Sequence, residues 1–116
     1  MPIEGGVTGP SGFKASGVKS GLKSSGKLDL ALLYAPDGAV CAGTFTKSFF
    51  RASCVELCVG RIKDTNGRVR AVLINSGQAN ACTGDRGLID SLRATKTLAD
   101  LLGISEKEVL ICSTGV

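Results

Sequence analysis

Apolar and polar positions follow different periods along this chain, and each period predicts an element. Leu28-Asp29-Leu30-Ala31-Leu32-Leu33-Tyr34 has the length and content of a strand. Pro36-Asp37-Gly38 is a turn signal, and Ala39–Thr46 reads as a second strand, so the two are expected to pair as a hairpin. Residues 51–62 carry Cys54, Val55, Cys58, Val59 and Ile62 at helical spacing, which predicts a short helix, although Val and Cys also suit strands. Thr65-Asn66-Gly67 is a turn, and Arg68–Asn75 reads as a strand entering the core. Asp85 is placed to cap a long helix in which Leu88, Ile89, Leu92, Thr95, Leu98, Ala99 and Leu102 recur on one face. Gly103 is expected to end it, and Ser105 with Glu108 forms a candidate capping box. Val109–Cys112 is a last short strand running into Ser113-Thr114-Gly115-Val116.

Residues 1–27 are rich in Gly, Ser and Lys and predict turns and irregular backbone. Ile3, Val7, Phe13, Val18 and Leu22 are expected to hold that stretch against the body. No internal repeat is visible. Mixed strands and helices over 1–116 predict a single domain of the α/β class, in its α+β variant.

Composition then removes several functions. With 43% hydrophobic residues and a mean hydropathy of +0.22, the chain can build a core. Gly, Lys or Asp interrupts every apolar run before the ~18 residues a membrane span requires. Met1-Pro2-Ile3-Glu4-Gly5-Gly6 lacks the basic-then-apolar order of a secretory signal. The expected address is a reducing interior: the cytoplasm, or a chloroplast or mitochondrion in a eukaryotic host. The net charge of +4 is scattered, aromatics are 4% and Trp is absent, which argues against nucleic acid as a partner. Five cysteines, an odd number, argue against a secreted disulfide framework. Cys54 and Cys58 share one helical face, but without His or a second close Cys pair no zinc site is expected. They read as small buried hydrophobes, with a thiol redox role as the alternative. The absence of His also removes every Ser-His or Cys-His catalytic pair from this chain.

Three segments offer chemistry. Gly21-Leu22-Lys23-Ser24-Ser25-Gly26-Lys27 approaches a phosphate-binding loop, but Leu28 stands where a magnesium-binding hydroxyl belongs. That segment also opens a strand where the motif should open a helix. Asn75-Ser76-Gly77-Gln78-Ala79-Asn80-Ala81 sits between a strand and a helix start, and its amides serve either a polar ligand or the loop's own backbone. Ser113-Thr114-Gly115 pairs a hydroxyl donor with a glycine whose N–H a substrate can approach. It reads as an ordinary turn or as a pair of donors for a tetrahedral oxyanion.

Taken in order, these segments resemble the ornithine acetyltransferase (glutamate N-acetyltransferase) family of arginine biosynthesis. The resemblance runs from Gly5-Gly6-Val7-Thr8 and Gly12–Gly17 through Lys27–Leu32 and Ala42–Thr46. Its most specific stretch is Ala71–Gly84, and it closes on Glu108-Val109-Leu110 and Ser113–Val116. Gln78 stands where many members have Asn.

The resemblance implies a layered sandwich of mixed sheet and helices, shared with self-processing aminopeptidases and incomplete over these residues. It implies a precursor that cuts itself and exposes a Thr nucleophile at the start of a second, β chain. That Thr takes the acetyl group of N-acetylornithine and passes it to glutamate in a ping-pong cycle, without cofactor or metal. In bifunctional members acetyl-coenzyme A is also a donor. The family's oxyanion pair falls on Thr114 and Gly115; the nucleophile and the known substrate-binding positions lie beyond Val116. This chain, the front of the α chain, is therefore expected to be inactive alone and to work as part of a hetero-oligomer. Without that partner it is expected to self-associate. A self-processing amidase fragment and a non-catalytic, self-associating scaffold are the alternatives.

Overall fold

Arg68–Ser76 is the strand around which the rest is arranged, because Val69 and Ala71 are buried along it and it pairs on both sides. The computed structural model describes residues 4–115, so the expected packing of Ile3 and the end of the last motif at Val116 lie outside the described residues. In chain order the elements are β1 Lys14–Val18, β2 Leu30–Val40, α1 Ser53–Asp64, β3 Arg68–Ser76, α2 Gly84–Leu102 and β4 Val109–Thr114. The four strands form one sheet in the order β1-β2-β3-β4. The first three run antiparallel, and β4 lies parallel to β3 after the α2 crossover. A mixed sheet with helices packed against it is the architecture that the alternation of strand and helix patterns predicts.

The expected hairpin at Pro36–Gly38 does not form. Leu30–Val40 is one strand, and between Tyr34 and Ala39 it advances five residues while its partner advances two, from Ala71 to Val69. The turn residues are absorbed as a bulge, a local widening that keeps the strand paired to β3 at both ends. Residues 41–46 carry no regular structure, so the second predicted strand contributes only Ala39 and Val40. The irregular reading of residues 1–27 also needs correction, since Lys14–Val18 pairs with Leu30–Tyr34 as an edge strand. Every residue of β1 is exposed, which left no hydrophobic alternation by which to recognise it.

Both helices fall where their periodicity places them, and Thr95, Leu98, Ala99 and Leu102 of α2 face the core as expected, whereas α2 starts its buried stripe differently. Its buried positions are Gly87, Ser91, Thr95 and Ala99, while Leu88, Ile89 and Leu92 stay 39%, 53% and 39% exposed. Small residues at four-residue spacing let the helix backbone lie close to its neighbours. A side chain at Gly87 would collide with the Thr83 hydroxyl and come within 2.9 Å of the Asn80 amide. Asp85 is not the cap; Thr83 precedes the first turn and Asp85 lies within it, where its charge favours the helix dipole. Gly103, at φ 68°, ends α2, and the Ser105–Glu108 capping box forms around a short 3-10 turn, as the sequence predicts.

Helix α1 seals the outer edge of β4. The Cys58 thiol donates to the Ile111 carbonyl at 3.2 Å and accepts from the Ile111 N–H at 3.4 Å. The Arg61 guanidinium donates to the Val109 carbonyl at 2.7 Å. These are edge groups that a further strand would otherwise pair. Leaving one buried and unpaired would cost about 1–3 kcal/mol. Cys58 is therefore more than the small hydrophobe its spacing suggests: it is buried in a cluster with Cys54, Val69, Leu110 and Ile111, and it also satisfies backbone. Burial pushes its thiol pKa up, which keeps it protonated and unreactive. Ala71, Ala99 and fully buried Val109 form a second cluster, backed by Leu32, Tyr34, Leu98 and Leu102.

Candidate functional site

The register sorts the end of the sheet into two faces. Leu30, Asn75 and Ser113 pair across three strands, as do Leu32, Leu73 and Ile111, so both rows share the face that α2 covers. Leu73, Asn75, Ile111 and Ser113 line a cleft of about 250 Å³ with Ser91 and Ala94 of α2. Ile74, Cys112, Ser76 and Thr114 fall on the opposite face by the same alternation. There Ile74 is 37% exposed and Cys112 and Thr114 are exposed. Thr114 and Gly115 thus do not line the cleft beside them; the Thr114 side chain belongs to the face opposite α2.

The amide loop divides into structural and free members. Asn75 accepts from the Ser113 hydroxyl at 2.6 Å and donates to the Gln78 carbonyl at 3.0 Å, which ties the loop to β4. Asn80 accepts from the Cys54 N–H at 2.8 Å and donates to the Gly87 carbonyl at 3.0 Å. Cys54 lies in the first turn of α1, whose preceding Ala52 has no side-chain oxygen, so Asn80 caps that helix from a distant segment. Among the described residues the Gln78 side chain makes no hydrogen bond; it is exposed and lines the cleft. The backbone-satisfying reading therefore holds for Asn75 and Asn80, and Gln78 is the amide whose side chain stays unbonded among the described residues.

The dipeptide Thr114-Gly115 is held by close backbone packing. The Gly77 N–H donates to the Thr114 carbonyl at 2.9 Å. A Cβ on Gly115 would lie 2.5 Å from Gly77 C and from Gln78 N, and Gly115 has φ 135°, so no other residue fits there without displacing backbone. Thr114 and Gly115 are both exposed, with no hydrogen bond to the Thr114 hydroxyl among the described residues. Sequence reasoning missed Asp29 beneath this site. It is 4% exposed, and its carboxylate accepts from Ser20 N–H, Ser20 Oγ and Lys23 N–H at 2.6, 2.8 and 2.9 Å. The Lys23 and then the Ser20 N–H hold its carboxyl well below the usual carboxylate range, against the opposing effect of burial. Within the segment that resembled a phosphate loop, the Lys23 N–H thus points at an internal carboxylate. Among the described residues no cluster of three metal-ligating side chains occurs, and no helix is long and apolar enough to cross a membrane.

The sequence profile of the ArgJ family matches residues 14–116. The chain belongs to the ArgJ family. An arginine biosynthesis bifunctional protein ArgJ from Parasynechococcus marenigrum is 67% identical over 114 residues, covering 98% of this chain and 28% of that protein. The ArgJ protein of a Prochlorococcus marinus strain is 66% identical over 115 residues, covering 99% of this chain and 27% of its own. The ornithine acetyltransferase of Mycobacterium tuberculosis, solved in complex with ornithine, superposes with a TM-score of 0.89 at 43% identity. That match covers 96% of this chain and 60% of the solved chain. The Bacillus halodurans ArgJ structure gives a TM-score of 0.90 at 35% identity. The mixed sheet and its helices are therefore the ArgJ fold over these residues, and the chain spans just over a quarter of the length of the ArgJ relatives it matches.

Proposed function

We propose that this chain is the front domain of a glutamate N-acetyltransferase and supplies its scaffold and its oxyanion donors, Thr114 and Gly115. The observation that carries the reading is the packing of Gly115 on the Gly77–Gln78 peptide, which fixes the dipeptide at the end of β4. Donors that are rigid before reaction stabilise developing charge without reorganising. Their exposure fits a site completed by another part of the enzyme, because such donors act strongly only where water is excluded. That part would lie over the face opposite α2 and carry the Thr nucleophile of the β chain, making a hetero-oligomer in the cytoplasm.

In this mechanism the Thr hydroxyl gives its proton to its own α-amine and attacks the acetyl carbonyl of N-acetylornithine. The carbonyl electrons move onto oxygen, where the Thr114 hydroxyl and Gly115 N–H hold them. Collapse breaks the C–N bond, ornithine leaves with the proton, and an acetyl ester remains on the nucleophile. The glutamate amine then attacks that ester through the same oxyanion, giving N-acetylglutamate and free Thr. The chain's own titrating residues are not needed, which suits a segment without His.

The test joins this chain to the complementary part of the Parasynechococcus relative and supplies N-acetylornithine with labelled glutamate. Labelled N-acetylglutamate, with an acetyl-enzyme seen by mass spectrometry when glutamate is withheld, is the expected result. Hydrolysis to acetate without transfer would point to an amidase and overturn the reading.

A further inference from the structure

The oxyanion dipeptide rests on two further layers of backbone, and one buried side chain holds the lowest layer. Thr114-Gly115 packs on Gly77-Gln78, as described. Gly77 in turn packs on residues 22–23: a Cβ there would lie 2.9 Å from Lys23 Cγ and 3.4 Å from the Leu22 carbonyl carbon and oxygen, and Gly77 has φ 110°. Glycine stands at both contacts, so the three segments approach at backbone distance. The bottom segment has no regular structure. What fixes it is Asp29, whose two carboxylate oxygens collect the Ser20 and Lys23 donors. The Asp29 carbonyl also accepts from the Ser76 N–H at 2.8 Å, one residue before Gly77. Asp29 therefore grips the lowest and the middle layers, one with its side chain and one with its backbone.

We propose that Asp29 is a positioning residue for acetyl transfer, setting the height and angle of Thr114-Gly115 through the Leu22–Lys23 and Gly77–Gln78 layers. This rests on the oxyanion role assigned to that dipeptide. The chemistry asks for an acidic side chain there, because three N–H and O–H donors converge and a carboxylate alone offers only acceptors. Asn would turn an NH₂ toward one of those donors. Displacement at a site of this kind is felt in turnover, where a misplacement of about 1 Å can cost on the order of 10²-fold.

The experiment is a double-mutant cycle in the joined enzyme, with rates normalised to the acetyl-enzyme burst so that folding and self-processing losses drop out. Asp29→Asn is expected to lower kcat about tenfold or more while KM for N-acetylornithine stays within about twofold, since transition-state contacts alone are disturbed. Combined with Thr114→Ala, it is expected to lower kcat by much less than the product of the two single effects, because both act on one group of donors. Fully multiplicative losses, or a change confined to KM, would overturn the role of Asp29 and leave the oxyanion reading standing. An unchanged kcat in Thr114→Ala alone would remove that reading and this proposal together. Should Asp29→Asn yield no soluble enzyme, Ser20→Ala deletes only the hydroxyl donor. It is expected to lower kcat about threefold, the equivalent of one weak hydrogen bond, with the same lack of additivity. No effect, or a fully multiplicative one, would overturn the proposal.

Discussion

Replacing Asn80 with Ala is expected to destabilise the fold by about 2 kcal/mol, although the residue lies in a loop and is only half-buried. Two bonds are lost. The first, from the Cys54 N–H at 2.8 Å, is the cap that Ala52 cannot supply to α1, and losing a cap typically costs ~1 kcal/mol. The second, to the Gly87 carbonyl at 3.0 Å, joins the loop to the first turns of α2 and contributes ~1 kcal/mol net. For a chain of this size that loss corresponds to a melting temperature lower by about 8 °C. Asn80→Asp separates the two contributions. It keeps the oxygen that accepts from Cys54 and adds a negative charge at a helix N-terminus, but it loses the donor to Gly87. It should recover about half the loss. Urea denaturation followed by circular dichroism, with the m-value checked for constancy, measures all three proteins. Gln78→Ala, whose side chain bonds nothing among the described residues, should stay within about 0.5 kcal/mol of the parent. An Asn80→Ala protein as stable as Gln78→Ala would refute the capping argument, and with it the division of the loop into structural and free amides.

Other expectations follow from the same contacts. Asp29 has a folded pKa below its ordinary 3.8, so its stabilisation is present above that value and lost as pH falls from there toward the folded value. Asp29→Asn should thus be less stable than the parent at neutral pH, with the gap closing on acidification below the ordinary carboxylate pKa; a gap that widens in acid would contradict this. Cys58→Ala should cost about 2 kcal/mol or more by stranding the Ile111 backbone groups, whereas Cys58→Ser should cost less because the hydroxyl keeps both bonds; equal losses would show that the cost is packing alone. A thiol reagent should label exposed Cys82 and Cys112 in the native chain and reach Cys54 and Cys58 only in denaturant. Alone in solution the chain should self-associate through its apolar surface, where Phe49 and Phe50 are 101% and 84% exposed; a monodisperse monomer by sizing chromatography at high concentration would contradict this.

The sequence was legible where period and burial agree. The spacing of Cys54, Cys58 and Ile62 gave α1, and the apolar run Ala71–Ile74 gave β3. Gly103 and the Ser105–Glu108 pair marked turns that form as local chemistry dictates. It misled where tertiary pairing overrode a local signal. Pro36-Asp37-Gly38 has the chemistry of a turn, yet β3 continues past it and holds the strand together around a bulge. Strand β1 was hidden because an exposed edge has no apolar alternation. The first half of the α2 stripe was misread because Gly87 and Ser91, rather than Leu88, Ile89 and Leu92, face inward there. At the site, the identities of Thr114 and Gly115 came from the family resemblance, not from three residues of turn-like sequence. Asp29 could not be singled out at all: one acid in an apolar run gives no hint that three donors, up to nine residues earlier, will converge on it.

If Thr114 holds the oxyanion of acetyl transfer, single-turnover acetylation in the joined enzyme with and without Thr114→Ala reads its contribution. The expectation is a rate in the variant lower by about 10²–10³, with N-acetylornithine binding little changed. A variant that forms its acetyl-enzyme at the parent rate would contradict it.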